Sequence, residues 1–406
     1  MTEPARLHIS VAATAVGTLG RVQEQADTVF TYSEQVAPGN AISLTMPPRL
    51  ASYAWQGGLP PLFDMHLPEG SLRDELLRRF SKAIRGFDDF TLLSIVGPHQ
   101  LGRVTMNPLE PPQAPLPETN LADLLVHDGA AGLFEDLLHT YGRYSGISGV
   151  QPKVLIRDSA SHVERLTHRG ATHLLKAFDA DQYPHLAANE FFCMRAAWHA
   201  GLAVPKFELS RHGQFLLVER FDLSHEGYLG FEDFCVLNAW PARAKYDGSY
   251  EGAAKQIKAF VSPQLLNAAL ESFFKIVALS CGVKNGDAHL KNFALLYPDT
   301  GPEAPVSLAP AYDLVTTSVY IRNDTLALLL GGSKAWPKRK ALIRFGRSAC
   351  NLTEGRCHEL LQQVEYGIAQ ARGEVQAHMA SQHGFHDMGK AMLDAWDSGM
   401  ARSLKV

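Results

Sequence analysis

Two short apolar runs near residue 300 constrain this chain more than any other feature. FALLY (293–297) and APVSLAP (304–310) are separated by the turn residues Pro298-Asp-Thr-Gly301. Apolar runs on either side of such a turn form an antiparallel hairpin. A hairpin sets the start of its first strand beside the end of its second. Asn292 stands just before the first run, and Asp313 stands just after the second. The turn therefore brings a carboxamide oxygen and a carboxylate to one end of the hairpin.

Hard cations such as magnesium take oxygen ligands of that kind, often only one or two from the protein. Asp287, in Asn285-Gly-Asp287, lies on the loop that enters the hairpin. There it is placed to accept a proton from an attacking hydroxyl. An aspartate, a later asparagine and a metal-binding aspartate recur in this order in kinases. Each residue alone has an ordinary use: Gly-Asp in a turn, Asn292 or Asp313 as a cap. Joined by a hairpin and preceded by the apolar helix ESFFKIVALSCG (271–282), they point to phosphate chemistry.

The rest of the chain narrows the setting. With 406 residues, 46% hydrophobic and 20% charged, it has material for two or three packed lobes. The formal net charge of −4 lacks the basic excess of a chain that binds nucleic acid by itself. No apolar run reaches the length of a membrane span, and the N-terminus carries no apolar signal segment. The expected setting is cytoplasmic. Five scattered cysteines without a CxxC pair read as reduced, buried thiols. The histidines show no metal-ligand spacing, so zinc is not expected.

Residues 6–46 alternate apolar and polar side chains, in LHISVAATAVGTLGRV, DTVFTYS and AISLTM, and read as three or four strands. LPEGSLRDELLRRF carries helical spacing, and residues 87–106 read as a helix and a strand. PLEPPQAPLP (108–117), with five prolines, is the candidate linker. Beyond it a strand-rich stretch precedes a helical one. The expected domains are an N-terminal subdomain (1–107), a linker and connecting segment (108–140), an N-lobe (141–225) and a helical C-lobe (226–406). The fold class is α/β, with a two-lobed kinase-like core.

Three further segments carry candidate chemistry. Ser145-Gly-Ile-Ser148-Gly149-Val150-Gln151-Pro-Lys153 offers small residues whose N–H groups can approach phosphate oxygens, and a lysine. It is neither GxxxxGK[ST] nor GxGxxG, and an ordinary turn has the same composition. Lys176 lies in THLLKAF, ahead of a helix bearing Glu190. A strand lysine paired with a helix glutamate is kinase logic. A solvated edge lysine has the same local sequence, and both readings stay open. Leu216–Phe221 (LLVERF) ends a strand where a kinase places its hinge, whose backbone holds adenine. Lys334–Arg347, crowded with lysine and arginine, is a solvated face or a contact for DNA or a partner.

Taken together, these segments resemble the HipA family, the kinase toxins of bacterial toxin–antitoxin pairs. GTLGRV, LPEGSLRDELLRRF and DDFTLLSIVG are similar to that family's N-terminal subdomain. SGVQPK, HLLKAFD, NEFFCMRAAWHAGL, VERFD, NGDAHLKNF and PAYDLV are similar to its kinase segments. The resemblance spans nearly the whole chain. It implies ATP and Mg2+, with Asp287 as catalytic base and Asn292 and Asp313 as metal ligands. It implies a phosphate-facing loop from Ser148 to Lys153 and Lys176 on the nucleotide phosphates. It makes Glu219, Arg220 and Phe221 the hinge, and lines the nucleotide site with His289, Lys291 and Tyr312. The implied partner is a helix-turn-helix antitoxin of the HipB type, with DNA reached only through it. The implied substrate class is aminoacyl-tRNA synthetases, notably that for glutamate, so that translation is inhibited.

One position departs from the family's pattern. Members often carry an autophosphorylated serine seven residues before the lysine of the QPK segment, and here that residue is Gly146. Ser148 is the candidate replacement. The competing readings are a kinase-fold corepressor that binds the antitoxin, and a kinase of small molecules.

Overall fold

The computed structural model describes residues 6–22, 27–80, 87–108, 117–126, 128, 133–145, 153–158, 170–177 and 182–405. The chain divides into two compact units. The first comprises Met1–Ala177, Ser210–Ala242 and Leu295–Pro305, and the second Phe178–Leu209, Arg243–Ala294 and Val306–Val406.

The first unit holds a five-stranded sheet in the order β4-β3-β2-β1-β5. Its strands are β1 (Arg6–Val11), β2 (Thr14–Arg21), β3 (Thr28–Tyr32), β4 (Tyr53–Trp55) and β5 (Val104–Asn107). Alternation drives it: Leu7, Ile9 and Val11 are buried on one face of β1, as Phe30 is in β3. The predicted strand in AISLTM is absent. Ser43 and Met46 make only an isolated bridge there. The reason is competition for its polar groups. Ser43 Oγ and the Leu44 N–H both donate to Glu232. Ile42 N–H donates to the Tyr32 hydroxyl, which donates in turn to Met46 O. Tyr297 also donates to Glu232, a fully buried carboxyl whose pKa is raised by desolvation.

A second group of strands in this unit runs β6 (Glu118–Thr119), β7 (Lys153–Asp158), β8 (His173–Ala177) and β10 (Phe215–Glu219); β9 is Phe207–Leu209. Leu155, Ile156, Leu175, Phe215 and Leu217 join the same apolar core as the first sheet. The proline-rich candidate linker falls mostly outside the described residues.

The second unit is mainly helical. Its central helix, Pro263–Gly282, starts with proline at its first position, as helices tolerate well. It begins earlier than the predicted 271 because its first turns are only half apolar. The helix is long and apolar enough to cross a membrane, yet two thirds of it is buried within the protein. Phe273 packs edge-on to Phe293 at 5.0 Å, and fully buried Trp396 donates Nε1 to Thr316 Oγ1 at 2.7 Å. Helix Leu186–His199 lies against Glu354–Ser381 so closely that a Cβ on Gly367 would come within 2.5 Å of Ala196 O.

Candidate active site

The loop Asn285–Asn292 is anchored at almost every residue, all within the second unit. Asn285, fully buried, accepts the Asp287 N–H on its own Oδ1 at 3.0 Å. Gly286 N–H donates to Thr317 Oγ1 at 2.6 Å. Tyr250 donates to Ala288 O, and Leu290 N–H to Lys245 O. A Cβ on Gly286 would lie 2.3 Å from Asp324 Oδ1, so the loop has room only for glycine there. Lys284, just before the loop, has φ of 58°, which is the left-handed backbone that a lysine adopts only when its surroundings impose it.

At the hairpin, strand Ala294–Tyr297 leaves the loop and Ser307–Leu308 returns, with Ala309 N–H donating to Ala294 O at 2.9 Å. The Tyr312 hydroxyl donates to Lys291 O at 2.8 Å. These contacts set Asn292 and Asp313 at the same end, as the turn requires. Asp313 is also left-handed, at φ 53°. The chain after it is clamped by Asn189, which exchanges two hydrogen bonds with the backbone of Thr316.

Asp287 sits at the centre of this arrangement. Its side chain keeps 46% of its surface exposed, while the crowded protein around it raises its pKa by desolvation. Tyr246 donates to its Oδ1 at 2.6 Å and, with Lys245, favours the ionised form. Asp313 and Asp324 oppose it as like charges. His289 is buried, and desolvation followed by Lys245 and Lys291 pushes its pKa down to about 3. The ring is therefore neutral near pH 7, and its 3.9 Å approach to Asp287 is not an ion pair. Among the described residues its Nδ1 has no hydrogen-bond partner.

A magnesium ion fits the donor set. Asn292 Nδ2 donates to Asp287 O at 2.7 Å, a bond that uses the amide nitrogen and not the carboxamide oxygen. With the Asp313 carboxylate this gives two hard oxygens, the number magnesium commonly takes from protein when phosphates complete its shell. Among the described residues no cluster of three or more His, Cys, Asp or Glu forms a closed metal cage.

The remaining candidates lie in the first unit or outside the described residues, except Glu190, which belongs to the second unit. Ser148, Gly149, Val150 and Gln151 are outside them. Lys153 and Lys176 are directly opposite in the β7–β8 register and both are buried. Side chains directly opposite share a face, so both lysines project from the same side of the sheet. Glu219 pairs with His173 in the β8–β10 register. Arg220 is buried, with its guanidinium on Asp222, Ala171 O and Gln100 O and its N–H on Thr172 O. Phe221 packs against Phe231, with ring centroids 6.0 Å apart. Glu190 is buried in helix Leu186–His199. Sequence reasoning missed Tyr246, Thr317 and Asp324, none of which stands in a motif.

The fold and this loop define a kinase-like protein. The family model of the HipA-like C-terminal domain matches residues 145–372, and that of the HipA N-terminal domain matches 7–107. The chain belongs to the HipA family. It is 31% identical over 290 residues to "Putative kinase Y4dM" of Sinorhizobium fredii, a match covering 67% of this chain and 65% of that protein. A second protein of that organism, Y4mE, is 30% identical over 72% of this chain and 73% of its own length. The structure is similar to HipA in the HipA–HipB–operator DNA complex of the Shewanella oneidensis MR-1 toxin–antitoxin system. The TM-score is 0.70 at 18% identity, covering 98% of this chain and 97% of that one. That likeness establishes the shared fold.

Proposed function

We propose that this chain is a serine/threonine protein kinase toxin that transfers the γ-phosphate of ATP to a protein hydroxyl. The observation that carries the reading is the anchored loop presenting Asp287 beside the hairpin end that bears Asn292 and Asp313. Phosphoryl transfer asks a protein mainly to position reactants and neutralise charge. Asn292 and Asp313 would hold magnesium, which when bound offsets the charge of the triphosphate. Asp287 orients the acceptor hydroxyl and takes its proton. Lys153 and Lys176, on one sheet face, favour negative charge nearby and suit phosphate oxygens. Glu219 to Phe221 supply the hinge, and neutral His289 lines the nucleotide site with Lys291 and Tyr312.

The acceptor proposed is an aminoacyl-tRNA synthetase, the glutamyl enzyme first, with translation inhibited as the consequence. The partner is a helix-turn-helix antitoxin of the HipB type, through which the chain reaches operator DNA. The setting is cytoplasmic. Ser148 is the proposed self-phosphorylation site, because Gly146 has no hydroxyl.

Induced expression tests this reading. Wild-type chain is expected to arrest growth, and Asp287→Asn to leave growth normal at equal protein level. Arrest that persists in Asp287→Asn would contradict the kinase mechanism. Absence of arrest in both, with operator binding intact beside the antitoxin, would favour the corepressor.

A further inference from the structure

Tyr246 precedes the catalytic loop by some forty residues, yet its phenol donates to Asp287 Oδ1 at 2.6 Å. Its segment is firmly held. The carbonyl of Lys245 accepts the Leu290 N–H at 3.1 Å, and the carbonyl of Tyr246 accepts Lys334 Nζ at 3.2 Å. Asp247 N–H donates to Ala244 O, closing the turn. The Tyr246 ring stands edge-on to His289, with centroids 5.0 Å apart. Tyr246 is 41% exposed as a residue and the Asp287 side chain 46%, so the pair is open to solvent, from which an acceptor must also arrive.

A carboxylate in a phosphoryl-transfer site has two oxygens and two demands. It must stay in one orientation, and it must leave a lone pair for the acceptor proton. A fixed phenol on one oxygen meets the first demand without consuming the second. We infer that Tyr246 is a positioning residue for the acceptor side of the reaction, pinning Oδ1 of Asp287 so that Oδ2 receives the acceptor's proton. The inference rests on the kinase reading of Asp287. The step is balanced: the acceptor oxygen bonds to the γ-phosphorus, the bond to the ADP leaving oxygen breaks, and the acceptor proton passes to Oδ2. The same geometry describes a phenol lodged where the acceptor hydroxyl belongs, blocking it. The anchors on both sides of Tyr246 favour a fixed support over a displaceable plug.

Tyr246→Phe separates the two, because it keeps the ring against His289 and removes only the O–H. Transfer from γ-labelled ATP is measured to the chain itself and to purified glutamyl-tRNA synthetase, beside Asp287→Asn. The expected result is a kcat lowered by about 10- to 100-fold, the loss typical of a hydrogen bond to a charged group. KM for ATP and the melting temperature are expected to stay at wild-type values. A kcat unchanged or raised in Tyr246→Phe, with transfer still abolished by Asp287→Asn, would overturn this inference alone. Transfer insensitive to Asp287→Asn would overturn the kinase reading and the inference with it.

Discussion

Asp222 and Asp287 are both aspartates in crowded surroundings, and the protein treats them oppositely. Asp222, 3% exposed in the first unit, meets Arg220 through two hydrogen bonds and accepts the Gly102 N–H. Those partners outweigh desolvation and hold its pKa below the ordinary value. Asp287 has a phenol and a nearby lysine, but desolvation and two further carboxylates win and raise its pKa. A charge neutralised by its own chain is structural. A half-exposed charge left under-compensated is held ready for something the chain does not supply. The first contributes to folding; the second is the pattern the proposed catalytic role of Asp287 would require.

The same substitution at both positions is the strongest way to break this contrast. Asp222→Asn strands a buried guanidinium and should cost about 3–5 kcal/mol in urea unfolding. Asp287→Asn removes a repelled charge and should leave the unfolding midpoint unchanged or slightly higher. Equal losses at both sites would erase the distinction.

Gly286→Ala sharpens the contrast from the loop side. The added Cβ meets Asp324 Oδ1 at 2.3 Å and Thr325 O at 2.5 Å, so the loop must shift. The expected cost is about 1–3 kcal/mol, accompanied by a fall in transfer of about 100-fold or more, since small misplacements of reacting groups are amplified in rate. Wild-type transfer in this variant would show that the loop need not be rigid.

Glu374 supplies an intermediate case. It pairs with Arg195 at 2.5 Å and with His199 at 2.7 Å, and keeps 29% of its side chain exposed. Desolvation is the largest influence on it and pushes its pKa up, but the hydrogen bonds from Arg195 and His199 prevail and lower it. A depressed carboxyl contributes stability that is present above its unfolded pKa and is lost as pH falls through the folded one. The gap between wild type and Glu374→Gln should be about 1 kcal/mol at pH 7 and should close as pH drops below the ordinary glutamate range. A gap that stays constant with pH would mean that the pair acts through packing alone.

The placement of Asn292 and Asp313 at one hairpin end was legible because a hairpin carries its own geometry: turn residues and two apolar runs fix which ends meet. The lysines of β7 and β8 were visible as residues, but their shared face required the strand register. Tyr246, Thr317 and Asp324 left no trace, since each reaches the loop from a distant segment without a spacing rule. AISLTM misled for a related reason. Its alternation fits a strand, but Glu232, far along the chain, takes the Leu44 N–H, and the Tyr32 hydroxyl takes the Ile42 N–H. The basic segment Lys334–Arg347 is partly spent within the protein, with Arg339 on Glu365, Arg347 on Glu354 and Lys334 on Tyr246 O. Composition could not distinguish this from a docking face.

The central claim is that Asp287, served by Asn292 and Asp313, performs phosphoryl transfer. The most direct measurement is single-turnover transfer from γ-labelled ATP with magnesium, comparing wild type with Asp287→Asn and Asp313→Asn. The account predicts labelled protein with the wild type and a loss of at least about 100- to 1,000-fold in each variant, with folding intact. Undiminished label in Asp287→Asn would contradict it.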